Sequence, residues 1–349
     1  MNEKGTVVGK NTEYISLLSV ISAFAVMSLH TNGCFWEFST GRYWFSANIL
    51  ESFWYFAVPV FFMISGATLM DYEKRYDIKV YFKKRIHKTG IPFLFWCLVG
   101  LVFKLVTDHS FHVRDITLSN LWGGIIGTSY VPIYWFFIPL FMCYLCIPLF
   151  AAVPEEKRKR LFLYLVGLAF ICNSMVPFLL QVFHLTIKWP FHIEAMGGYL
   201  IYILLGYLLS RFDLPTRYEH VIYILGILGL LAHIIGTYEL SMAAGKIIQT
   251  YKGYLNVPCL FYSAAVFIFF KKYSCSIMNK MGGIIKFLKD YTFAVYMLHW
   301  FVMTVWIRGG HIHTHALAYR MLGPIAIGLV CILVTMVIRK LPYGKNFLP

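Results

Sequence analysis

Apolar residues run in ten blocks of membrane-spanning length separated by short basic turns. The blocks are 13–34, 45–69, 89–107, 132–152, 161–181, 196–211, 219–237, 253–271, 290–308 and 319–338. Roughly 20 apolar residues at ~1.5 Å rise each cross a ~30 Å hydrocarbon core, so the blocks predict transmembrane helices. The connections are short, and the longest, 108–131, carries an amphipathic run from Asp115 to Gly127 that predicts a brief surface or re-entrant helix. Residues 1–349 therefore read as one transmembrane domain without a soluble domain.

Composition fits this pattern. The chain is 59% hydrophobic and 18% aromatic with only 13% charged residues, which sets it apart from soluble domains. Charge adds an orientation. Numbering the connections alternately puts 23 lysines and arginines on one side and eight on the other: Arg42, Lys104, Arg114, Lys188, Lys246, Lys252, Arg308 and Arg320. By the positive-inside rule the expected fold is an all-α bundle of ten transmembrane helices with both termini cytoplasmic. The net charge of +15 is then a topology signal, reinforced by anionic headgroups of the lipid bilayer. Its spread over short turns argues against nucleic acid. No small-residue cleavage site follows the first block, so it reads as a retained helix. The eight cysteines sit mostly within or near spans, and the Cys143-x-x-Cys146 pair reads as buried thiols rather than a metal or redox motif.

Ionisable groups at membrane depth are functional candidates. His30 lies near the outer end of the first span, Glu51 about two turns into the second, and His299 midway along the ninth. The first span runs outward and the second returns, so His30 and Glu51 should share a depth. A carboxylate there could fix the imidazole tautomer and raise its basicity. Equally, Glu51 could snorkel to headgroup level, and His299 could make a structural hydrogen bond between helices. At the inner face, Lys83-Lys84-Arg85-Ile86-His87-Lys88 opens the third span. Arg85 and Lys88 are three apart and would share a helical face, which suits a multiply phosphorylated ligand arriving from the cytosol.

Taken in order, these segments resemble the acyltransferase-3 family of bacterial integral-membrane enzymes. The resemblance rests on His30, on the run from Val58-Pro59 to Ser65-Gly66, and on the basic entry to the third span. It continues through Trp135-Phe136 with Tyr144 and Pro148, Gly198 to Gly206-Tyr207, and Phe293 to His299. It implies transfer of an acyl group, usually acetyl, from cytosolic acetyl-CoA or another short acyl-CoA to a hydroxyl of an outward-facing polysaccharide or glycolipid. His30 would be the catalytic base, with Glu51 and His299 beside it and no metal. The family's Arg-x-x-Arg is matched by Arg85-Ile86-His87-Lys88, which would hold the CoA phosphates with Lys84 and Ser65 nearby. The setting is the bacterial plasma membrane, and a homodimer is among the partner states. The chain departs from the family pattern at Ser16, Ser19 and Tyr55, where charged residues are common. Lys104 and Arg85 are candidates to supply the missing cation.

An outward acceptor would meet the loops at 108–131, 182–195, 238–252 and 309–318. Trp122, Trp135 and Glu194 (beside His192) are the expected acceptor contacts, although an interfacial aromatic belt explains the tryptophans without a ligand. His311, His313 and His315 alternate in the last of these loops and read as solvated residues rather than a zinc site. The competing reading is a transporter of a glycan or small molecule that has lost acyl transfer, favoured if Lys104 and Glu51 face a water-filled path. A scaffold subunit of a polysaccharide assembly complex is the third.

Overall fold

The computed structural model describes residues 4–108, 110–191, 198–310 and 312–349. Among these, regular structure is helical throughout. The α-helices are α1 (Lys4–Thr31), α2 (Arg42–Trp54), α3 (Ala57–Leu69), α4 (Ile78–Arg85), α5 (Ile91–Thr107), α6 (Leu118–Ile126), α7 (Phe137–Ala151) and α8 (Glu155–Ala169). They continue as α9 (Val176–Val182), α10 (Leu200–Arg211), α11 (Thr216–Ala244), α12 (Val257–Lys289), α13 (Thr292–Gly309), α14 (Leu317–Ile338) and α15 (Gly344–Phe347). Among the described residues, seven helical runs are long and apolar enough to cross a membrane. The chain is thus a multi-pass, all-helical membrane protein.

Several helices end or widen just before a proline, for a common reason. A proline lacks the N–H for the i−4 carbonyl and its ring crowds that group. The α2–α3 run breaks at Tyr55–Phe56, four and three residues ahead of Pro59. Wider π turns at Ile86–Gly90 and Phe170–Met175 join α4 to α5 and α8 to α9, ahead of Pro92 and Pro177. The 253–271 block is the first part of a longer element: α12 continues as helix through the basic stretch that follows, which the hydropathy pattern alone would have left as a connection.

The core crossing is between α3 and α10. At twelve residues α10 extends only ~18 Å, and nine of those residues are buried, so it is an internal helix with little lipid-facing surface. Glycine permits the contact. A Cβ at Gly66 would lie 1.9 Å from the Ile203 carbonyl oxygen, and one at Gly206 would lie 2.1 Å from that of Met63. Backbone-to-backbone packing of this kind is how membrane helices gain dispersion contact without a hydrophobic driving force. Both glycines belong to the motifs that carried the resemblance, so those motifs are in part packing signals. The crossing sets α3 beside α1, and α1 in turn packs on α12, α13 and α14.

Candidate active site

His30 occupies the last turn of α1, and His299 the middle of α13. Their rings meet at 5.2 Å between centroids, tilted by 35°. His299 is buried and His30 is half-buried. Two contacts and the anchoring of its helix position His299. Its Nδ1 lies 3.1 Å from the Val295 carbonyl oxygen, an acceptor, so Nδ1 carries the proton and Nε2 the lone pair. The Tyr296 ring packs 5.7 Å from the imidazole. The helix is pinned reciprocally, with Tyr296 donating to the Ile133 carbonyl and Tyr134 to the Met297 carbonyl, both at 2.8 Å. His299 Nε2 is buried without a partner among the described residues. A buried lone pair of this kind is unsatisfied until a donor such as a hydroxyl arrives.

Glu51 does not pair with His30. Its Oε1 accepts from Lys252 Nζ at 2.8 Å, and its Oε2 from Asn32 Nδ2 at 3.3 Å. The pair is nearly inaccessible, Lys252 at 2% and Glu51 at 3% exposure. The carboxylate therefore neither snorkels nor faces a water path. Lys252 comes from the loop between α11 and α12, and its ammonium lies over the rings of Phe35 at 4.0 Å and Tyr55 at 4.4 Å. Burial pushes this lysine below its ordinary pKa, and the Glu51 charge pulls it back. The network extends through Asn32, whose Oδ1 is 3.5 Å from Arg320 Nη1, while Arg320 Nη2 donates to Ser46 at 2.9 Å. Arg320–Asn32–Glu51–Lys252 thus ties α14, the end of α1, α2 and the α11–α12 loop together, two residues beyond His30. Sequence reasoning missed Lys252, Arg320 and Asn32. The available signal was Glu51 itself, since an acid at membrane depth needs a cation.

At the basic entry, the π turn separates two residues that an α-helix would have aligned. Arg85 is half-buried, its guanidinium 5.6 Å from the Tyr144 ring and 5.9 Å from that of Tyr81, and its Nε is buried without a partner among the described residues. Lys88 is exposed. Lys84 rests 3.7 Å over the Tyr76 ring, and Ser65 donates to the Phe61 carbonyl of its own helix at 3.1 Å. Ser19 is likewise bonded back to Ile15 at 2.7 Å. Lys104 lies over Phe111 at 4.7 Å. Arg85 is thus the member of this group with unused buried hydrogen-bonding capacity.

Of the acceptor candidates, Trp135 lies in an aromatic wall, stacked on Tyr254 at 5.6 Å, which in turn stacks on Tyr55 at 4.3 Å. Trp122 is half-exposed on α6, with Leu118 and Ile126 exposed one turn to either side. The opposite face of α6 packs on Tyr130, whose hydroxyl donates to the Asn120 carbonyl at 2.9 Å. Trp122 and Trp135 are therefore not brought together. Glu194 and His192, like His311, lie outside the described residues. His315 stacks on Tyr43 at 4.4 Å and reaches Glu37 at 3.2 Å, and His313 is exposed.

The family model described as an acyltransferase domain matches residues 12–339, nearly the whole chain. No curated protein and no solved structure matches it.

Proposed function

We propose that this chain, which belongs to the acyltransferase-3 family, moves an acyl group, most simply acetyl, from cytosolic acyl-CoA to a hydroxyl of an envelope polysaccharide or glycolipid. In this reading ten helices span a bacterial plasma membrane with both termini cytoplasmic. The observation that carries it is the meeting of His30 and His299 on different helices, one ring offering an unpaired buried nitrogen. An acceptor hydroxyl at the edges of the two rings has a base and a second polar contact within reach. His30 takes the hydroxyl proton as the oxygen attacks the thioester carbonyl. The carbon–sulfur bond breaks, and the proton returns to the CoA sulfur. His299, held as the Nδ1–H tautomer, orients the hydroxyl through Nε2. Arg85, with its unused donor, and the exposed Lys84 and Lys88 meet the CoA phosphates at the cytosolic side.

The enclosed Glu51–Lys252 pair removes one support for a transporter, which would have used Glu51 in a hydrated path. The test is acetyl-CoA turnover by the protein in liposomes, compared with His30→Ala and Arg85→Ala. Loss of a positioned base should lower turnover by ~10²–10⁴-fold, while Arg85→Ala should act chiefly on the acetyl-CoA KM. Absence of turnover in the wild type with acyl-CoAs of several lengths would defeat the reading.

A further inference from the structure

We infer that the acceptor is lipid-linked, and that its hydrocarbon chain lies in an apolar groove ending about one helical turn from the histidine pair. The inference rests on the transferase reading above and gives its acceptor a chemical class. A cavity of about 1060 Å³ opens among α1, α2, α11, α12, α13 and α14, at the upper end of the ~300–1,000 Å³ usual for ligand sites. Among the described residues no charged side chain lines it. Its mouth is formed by Phe269, Ile325 and Leu329, which are exposed on helices of a membrane protein and so face hydrocarbon. What enters from that side is an aliphatic chain.

The groove's far end connects it to the chemistry. Met27 and Val295 line it. Met27 stands three residues before His30 on α1, and Val295 four before His299 on α13, so each pair shares a helical face. The Val295 carbonyl is the group that holds His299 Nδ1. Groove and histidines are therefore consecutive along the same two helix faces, about 5 Å of helix rise apart. Gly328 leaves room for the Met27 side chain at this end of the groove: a Cβ there would lie 3.2 Å from the Met27 terminal methyl.

Direction selects the acceptor over the donor. With α1 running outward, the groove descends from His30 toward the inner leaflet. A lipid with its head group at the outer surface presents hydroxyls at the histidines and its chain below them, along the groove. A long-chain acyl-CoA arrives from the cytosol with its carbonyl nearest CoA, so its tail would have to fold back beside the pantetheine arm to enter the same space.

The test uses full-length protein in proteoliposomes and a glycan linked to a polyisoprenyl chain bearing a photoreactive diazirine. Labelling is expected at Met27 and its neighbours in the groove, and is expected to be lost in Leu329→Trp, which blocks the mouth, and in Gly328→Leu, which fills the floor. Labelling spread evenly over the exposed helix faces and unchanged in both variants would overturn the inference. A second measurement compares acetyl transfer to the chain-linked glycan and to the same glycan without its chain. Both variants should lower the ratio of kcat/KM for the two acceptors by about tenfold or more, the scale of a lost apolar pocket contact; an unchanged ratio is contrary. Acetyl-CoA hydrolysis without acceptor reports on the transferase reading separately. Groove-specific labelling without any hydrolysis would uphold the groove as a lipid-chain site and defeat the transferase reading.

Discussion

The cations at the two ends of the helix bundle live in different solvents. At the end that carries the turn after α3, Lys74 pairs with Glu155 at 2.6 Å, but both side chains are about half exposed, 51% and 54%. At the end that carries the α11–α12 loop, Lys252 and Glu51 pair at 2.8 Å with side chains 1% and 4% exposed. The two bonds have nearly the same length, and their energetics differ. In water a pair gains little because solvent screens it and side-chain entropy opposes it. Inside protein the same pair has given up its hydration and depends on its partner. Charge counting along the sequence treats both lysines as one unit of topology, whereas only one is part of the architecture.

The difference can be broken most strongly at Glu51. Glu51→Ala should destabilise the protein by about 3–5 kcal/mol, because Lys252 is left as an unpaired buried cation. Thermal unfolding in detergent reads this, and Glu51→Leu combined with Lys252→Met should recover most of it. An equal loss in the double variant would mean that the aromatic surroundings, rather than the pair, carry the stability. Arg158 sharpens the comparison as a buried cation at the same end of the bundle as Lys74. It donates to Asp71 at 2.8 Å and to the Val153 carbonyl at 2.7 Å, with Ala151 as a third acceptor. Arg158→Ala is expected to cost about 2–3 kcal/mol in the same assay. If it costs as little as an exposed pair, burial is the wrong variable. Lys74→Ala should have the smallest effect, within about 1 kcal/mol, and should be lost in high salt.

Hydropathy alone marked the helical segments because a membrane span is a local property of about 20 residues. The apolar blocks ran without interruption through Pro59, Pro92 and Pro177, so the breaks and π turns ahead of these prolines were not legible in hydropathy. Gly66 and Gly206 were visible as motif residues, but their role needed the α3–α10 crossing. His30 and His299 were conspicuous as ionisable groups among apolar neighbours, and the structure brings their rings together. Glu51 was conspicuous for the same reason and its partner was misassigned. Depth along the helices suggested His30, whereas the nearest cation comes from a loop 201 residues away in sequence. No local pattern could show that Lys252 folds inward over Phe35 and Tyr55, since on sequence it looks like any other loop lysine. Arg85 and Lys88 flank a π turn instead of lying in one regular α-helix, which local spacing could not show, and they differ in burial, the first half-buried and the second exposed.

The measurement closest to the central claim is a double-mutant cycle on acyl-CoA turnover in proteoliposomes, using His30→Ala, His299→Ala and the combined variant. If the two imidazoles handle one hydroxyl as a unit, each single change should remove most of the activity and the combination should remove little more. Purely additive losses, or near-normal turnover in either single variant, would contradict the account and leave the two rings as neighbours in the packing.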